Sequence, residues 1–193
     1  MAILVLGLII FLGLHSTRIV ADSGRERAIA RLGEGPWKGI YSLLSAVGFV
    51  LIVWGFADAR WNAPALWTPL PGARHATIFL MLIAMVLLAA YLFKQSHITA
   101  VVHHPMVWAV VVWSLGHLIA NGSAADVVLF GAFLIWAAAD LASSYARDRR
   151  NRVVYPEPKW SATIGAVVVG IVFWAAIALW LHFWLFGVSP LGA

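Results

Sequence analysis

What most constrains this chain is the recurrence of long apolar runs separated by short polar connections. A run of about 20 mostly apolar residues crosses the hydrocarbon core of a bilayer as one helix. Such runs fall at residues 2–20, 37–57, 75–93, 105–121, 125–145 and 160–186. No connection, that at about residues 21–36 included, is long enough to hold a soluble domain. Charged residues make up only 11% of the sequence, against about a quarter in soluble domains. The expectation is an all-α, polytopic membrane protein, a single integral-membrane domain over residues 1–193 built as a bundle of about six transmembrane helices.

Lysine and arginine set the orientation, because short cytoplasmic loops carry the excess of both. Arg18, Arg25, Arg27, Arg31 and Lys38 lie around the first connection, Lys94 in the third, and Arg147, Arg149, Arg150, Arg152 and Lys159 around the fifth. The opposite side has only Arg60 and Arg74. The odd-numbered connections are therefore expected in the cytoplasm, both termini on the outer, periplasmic side, and the chain in the bacterial inner membrane. This topology accounts for the net charge of +5, so the expected partner is the lipid bilayer and no nucleic acid. No basic stretch precedes the first apolar run, whose first charge is Arg18. That run is read as a retained span and not as a cleaved signal peptide.

The connections have distinct characters. Alternating charges at residues 22–31 suit a surface helix near lipid headgroups. Trp61, Pro64, Trp67, Pro69 and Pro71 suit a cap at the outer interface. Tyr155-Pro156-Glu157-Pro158 reads as a stiff linker. No internal repeat relates the apolar runs.

The chain has no cysteine, which excludes disulfides, iron–sulfur clusters, thiolate ligation and covalently attached haem. Attention falls on polar residues inside the oil. Pro105 suits the first turn of a helix, Gly122 is placed for a left-handed cap, and Ser114, His117 and Asn121 share one face between them. His15 lies about 20 Å along the first run. An intramembrane histidine is costly unless it faces protein or a cofactor, so a ligand role and a packing role are both open for His15 and His117. His75, His97, His103 and His182 lie at the rims, where imidazoles are usually solvated. Asp140 is either part of a site or the partner of a rim cation such as Lys94 or Arg147. Imidazoles from two helices are the usual way to hold a b-type haem without cysteine. Counting places His15 nearer the cytoplasm and His117 nearer the outside, so a shared iron would require tilt to absorb about 10 Å of depth.

Gly13-Leu14-His15-Ser16, Gly33-Glu34, Trp54-Gly55-Phe56, His104-Pro105-Met106, Trp113-Ser114-Leu115-Gly116-His117-Leu118, Ala120-Asn121-Gly122 and Phe130-Gly131 resemble the NnrU family of bacterial membrane proteins. The resemblance runs over nearly the whole chain, to Leu181-His182 and Gly187-Val188. It implies an association with nitrite and nitric oxide metabolism. It also implies kinship to plant zeta-carotene isomerase, an integral membrane enzyme that uses b-type haem. His15 and His117 match the histidines implicated there as haem ligands. That isomerase has a cysteine three residues before the second histidine; here Ser114 stands in its place and cannot be a thiolate. Separately, His103-His104-Pro105 resembles a helix opening in isoprenylcysteine methyltransferase-like membrane enzymes, which would make His104 a residue of an S-adenosylmethionine site. The glutamate pair of those enzymes has no counterpart after Asp140, where Arg147-Asp148-Arg149-Arg150 stands instead.

The leading reading is thus a membrane protein holding haem b, with His15 and His117 as metal ligands and Ser114 and Asn121 beside them. Its iron would serve nitrite and nitric oxide metabolism by binding a diatomic gas, or redox-gated cis–trans isomerisation of a small apolar, carotenoid-like substrate. Methyl transfer at His104 is the alternative. A non-enzymatic assembly factor or transporter is the third reading, transport being disfavoured by the lack of broken, glycine-interrupted spans. Homo-oligomerisation is left open.

Overall fold

The computed structural model describes residues 1–192. Among them the chain is helical, with no strand beyond one isolated antiparallel bridge between Ala65 and Ser123. The order is α1 (Ala2–His15), α2 (Thr17–Val20), α3 (Asp22–Leu32), α4 (Glu34–Asn62), α5 (Ala73–Leu92), α6 (His97–Val102), α7 (Pro105–Ala120), α8 (Ala124–Asn151), α9 (Trp160–Ala176), a π-helical turn (Ile177–Leu181) and α10 (His182–Phe186).

Among the described residues, four helical stretches are long and apolar enough to cross a membrane: α4, α5, α8 and the continuous Trp160–Phe186. Their flanks expose large apolar side chains such as Leu43, Phe49, Val50, Ile135 and Val172, as lipid-facing helices do. The chain is a membrane protein. The other two expected spans are apolar but shorter, 14 residues in α1 and 16 in α7. The first has a local cause. Ser16 Oγ donates to the Leu12 carbonyl at 2.7 Å and Thr17 Oγ1 to the Leu14 carbonyl at 2.8 Å. Hydroxyls that engage carbonyls of the preceding turn compete with the helix, and the run is interrupted at Ser16. The surface helix expected at residues 22–31 is α3, and α8 extends past the expected 145 to Asn151.

The chain divides into two compact units, Met1–Thr68 with Gly122–Ser143, and Pro69–Asn121 with Ser144 onward. In the first unit α1 packs on α4. The buried residues are Leu4, Gly7 and Leu8 on α1 and Gly48, Ile52, Gly55 and Ala59 on α4, the latter at spacings of four, three and four along one face. A Cβ at Gly7 would lie 2.6 Å from Ile52 N, one at Gly48 would lie 2.9 Å from Phe11 N, and one at Gly55 would fall on the Leu4 backbone. The two backbones therefore touch. In lipid, where apolar burial offers no drive, such close approach is what holds helices together.

Gly122 does not form the expected left-handed cap. Asn121 is extended (φ −131, ψ 135), and Gly122 is not among the glycines of positive φ. Its carbonyl instead accepts from Leu66 N at 2.7 Å and Trp67 N at 3.3 Å. A side chain there would overlap the Trp67 carbonyl, so smallness, not backbone hand, explains the glycine. Just beyond, Asp126 Oδ2 accepts from Ser123 N and Oγ (3.1 and 2.6 Å), while Asp126 N donates to Ser123 Oγ (3.2 Å). This is a reciprocal cap that starts α8.

In the second unit α5 packs against α7 and α9. Thr77, early in α5, donates to the carbonyl of Gly116, late in α7, at 2.7 Å. Trp174 Nε1, late in α9, donates to the Ile78 carbonyl at 3.1 Å, and Lys159 N donates to the Gln95 carbonyl at 2.7 Å. Both neighbours are thus antiparallel to α5. Tyr145 on α8 donates to the Val102 carbonyl at 2.8 Å. These bonds bring the third and fifth connections, with Lys94, Arg149, Arg152 and Lys159, to one end of this unit.

Candidate functional site

In the first unit His15 occupies the last turn of α1. Its Nδ1 lies 2.7 Å from the Phe11 carbonyl. A carbonyl only accepts, so Nδ1 carries the proton and the lone pair of the neutral ring is on Nε2. The ring stacks on Phe11 (4.2 Å, 29°) and meets Tyr41 and Trp136 edge-on at 5.4 and 6.1 Å. Trp136 Nε1 is buried with no hydrogen-bond partner among the described residues.

In the second unit His117 repeats the pattern in the last turn of α7. Its Nδ1 lies 2.9 Å from the Trp113 carbonyl, and its ring is 5.3 Å from that of Trp113. Ser114, one turn earlier, is fully buried and its Oγ has no hydrogen-bond partner among the described residues. Asn121 belongs to the same group in a different way from its spacing. It sits past the last helical turn, with Nδ2 donating to the His117 carbonyl at 2.8 Å. It acts there as a cap for α7.

The rim histidines have local partners. His97 Nδ1 is 2.8 Å from Thr163 Oγ1 with the ring against Trp160 at 4.3 Å, and His182 Nδ1 is 2.7 Å from the Val188 carbonyl. His75 is exposed and Asp140 half-buried. Among the described residues no group of three or more His, Cys, Asp or Glu is placed to hold a metal ion.

His104 heads a denser polar cluster than the sequence leads one to expect. It precedes Pro105 at the start of α7, and its Nε2 is 2.7 Å from Asp148 Oδ2. Tyr155 donates to the same oxygen at 2.6 Å. Tyr145 accepts from Trp108 Nε1 at 2.9 Å and lies edge-on to His104 at 5.0 Å. His103 stacks nearly parallel on Tyr155, 4.1 Å apart at 11°. Neither Asp148 nor Tyr155 stands out as a site residue in the sequence; the available signal is one acid inside the basic run 147–152.

Burial pushes the Tyr155 phenol above its ordinary value of 10.0, and the hydrogen bond and charge of Asp148 push it further. A raised pKa means that the stability it contributes is complete below pH 10.0 and lost only as pH rises through the higher folded value. Near-ultraviolet titration is therefore expected to show Tyr155 ionising above the ordinary phenol value. The signal is the difference between wild type and Tyr155→Phe. Ionisation at the ordinary value would mean that the Asp148 bond is absent in solution.

The family model described as NnrU protein matches residues 3–190. The chain belongs to the NnrU family. No curated protein and no solved structure matches it. The NnrU match spans all the candidate residues, namely His15, His104, Ser114, His117 and Asn121, together with Asp148 and Tyr155.

Proposed function

We propose that this NnrU protein is a b-type haem protein of the bacterial inner membrane, with His15 and His117 as iron ligands. It would cross the bilayer six times with both termini periplasmic. The supporting observation is the shared state of the two imidazoles. Each commits Nδ1–H to the carbonyl four residues earlier, which fixes the tautomer and puts the lone pair on Nε2, the nitrogen that would ligate iron in the usual arrangement of a metal-binding histidine. Each also sits in the last turn of its helix, at the negative end of the helix dipole, where a cationic centre is favoured.

A haem iron takes four ligands from the porphyrin and asks the protein for two at most. That demand suits paired histidines without a larger ligating cluster. Within each unit a buried polar atom without a partner among the described residues, Trp136 Nε1 in the first and Ser114 Oγ in the second, is one that a bound group could satisfy. Bound haem would supply one-electron chemistry and an iron for a diatomic gas, serving nitrite and nitric oxide metabolism or redox-gated isomerisation of an apolar substrate. The protein's own residues hold and orient it, with Asn121 fixing the end of α7 beside His117.

Protein purified in detergent after haem-sufficient expression is expected to show a Soret band. His15→Ala and His117→Ala should each lose or shift it. His182→Ala, whose Nδ1 also faces a carbonyl but at the rim, should leave it unchanged. Colourless, haem-free wild-type protein would sink the reading.

A further inference from the structure

The basic end of the second unit carries an open pocket of about 430 Å³ that the haem reading does not use, lined by His103, Tyr145, Asp148, Arg149, Arg152 and Tyr155 together with two valines. Two of its walls are strained. His103 (φ 57) and Arg152 (φ 50) are the non-glycine residues of positive φ among the described residues, and both line this pocket. At His103 the amide of His104 donates to the Val102 carbonyl at 2.6 Å, closing a γ-turn of the rare hand with positive central φ. At Arg152 the end of α8 closes with Val153 N on the Asp148 carbonyl (3.0 Å) and Arg152 N on the Arg149 carbonyl (3.3 Å). That pair of bonds is a Schellman motif, and Arg152 holds the left-handed position that glycine normally takes. Strain of this kind persists where surrounding structure over-determines it, and it clusters at ligand sites.

The charge in the pocket is unbalanced. Asp148 Oδ2 is already engaged by His104 and Tyr155. Arg149 and Arg152 make no side-chain hydrogen bond or ion pair among the described residues. His103 stands with them, its ring fixed by stacking on Tyr155. Guanidinium forks match tetrahedral oxyanions bidentately. The pocket also lies at the end of a helix long enough to span the membrane; a spanning α8 would set it near the headgroups, where clustered basic residues recognise anionic lipids.

We propose that this pocket binds a phosphate-bearing anion, presented by an anionic phospholipid headgroup or by a soluble phosphate. The site stands whether or not the protein holds haem.

The test titrates the full-length protein in detergent with short-chain phosphatidylglycerol, with short-chain phosphatidylcholine and with inorganic phosphate. Saturable binding of phosphatidylglycerol is expected, weakened on the order of tenfold in the Arg149→Gln/Arg152→Gln double variant. Inorganic phosphate that competes identifies a soluble ligand, and phosphate that fails to compete identifies the lipid; either supports the site. Arg152→Gly separates binding from folding, because it relieves the left-handed position. It should melt at or above the wild-type temperature yet bind more weakly. Arg27→Gln, on α3 in the other unit, should bind as wild type. Equal binding by phosphatidylcholine, or unchanged affinity in the double variant, would overturn the proposal.

Discussion

Replacing Gly55 by leucine is expected to leave no stable folded protein in detergent. The added Cβ meets the backbone of Ile3 and Leu4, so no rotamer change relieves it and α1 must move away from α4. Even Gly55→Ala is expected to cost about 3 kcal/mol, at the upper end of overpacking penalties. The packing that the methyl group disrupts is mostly backbone against backbone, and in lipid nothing replaces it. Gly39 supplies a control in the same helix, since nothing lies within 4 Å of a Cβ built there. Gly39→Ala should gain on the order of 1 kcal/mol from helix propensity alone. Thermal unfolding in detergent, followed by circular dichroism and size exclusion, reads both changes. A Gly55→Leu protein that melts with wild type would mean that α1 and α4 do not pack this closely.

Asp148→Ala is expected to be the most damaging polar substitution in the second unit. One carboxylate oxygen serves His104 at 2.7 Å and Tyr155 at 2.6 Å, so its removal strips two charge-assisted bonds at once. With both His104 and Asp148 side chains 21% exposed, solvent compensates part of the loss, and about 2 kcal/mol remains. Asp148→Asn keeps an oxygen and should fall between. A cycle with Tyr155→Phe should show the double variant losing less than the sum of the singles, because both changes remove one shared bond. Strict additivity would show that Tyr155 and Asp148 are not bonded.

The elements legible in the sequence are those with a local cause. Pro105 opens α7 because it lacks only the amide that the first turn does not use, and the charged stretch after Asp22 forms the surface helix α3. The membrane class follows from run length and scarcity of charge. His15 and His117 are visible because an imidazole in an apolar run is conspicuous, though the carbonyls that fix their rings are not. What stays hidden depends on distant partners. His104 and Asp148 are 44 positions apart, so nothing local marks them as a pair. Gly122 misleads for the same reason: its neighbour is Trp67, and sequence offers only the frequent cause of a glycine after a helix. The break at Ser16 does have a local signal, since a serine and a threonine in succession can divert carbonyls from the helix. Run length alone outweighs that signal when the apolar stretch is counted as one span.

In the proposed six-span topology, the length of α7 would carry a consequence for the lipid around it. Its 16 residues measure about 24 Å at 1.5 Å per residue, less than a hydrocarbon slab of about 30 Å. A short span is accommodated by local thinning or by flanking side chains that reach outward. His104 at one end and Asn121 at the other are held by Asp148 and by the helix's own carbonyl, so the ends have little slack to reach with. The hydrophobic mismatch then falls on the bilayer. A thick, ordered membrane would strain the helix that carries His117, and a thin one would relieve it. In the six-span proposal, acyl-chain length is thus a working variable of this protein, to be set as deliberately as pH or salt.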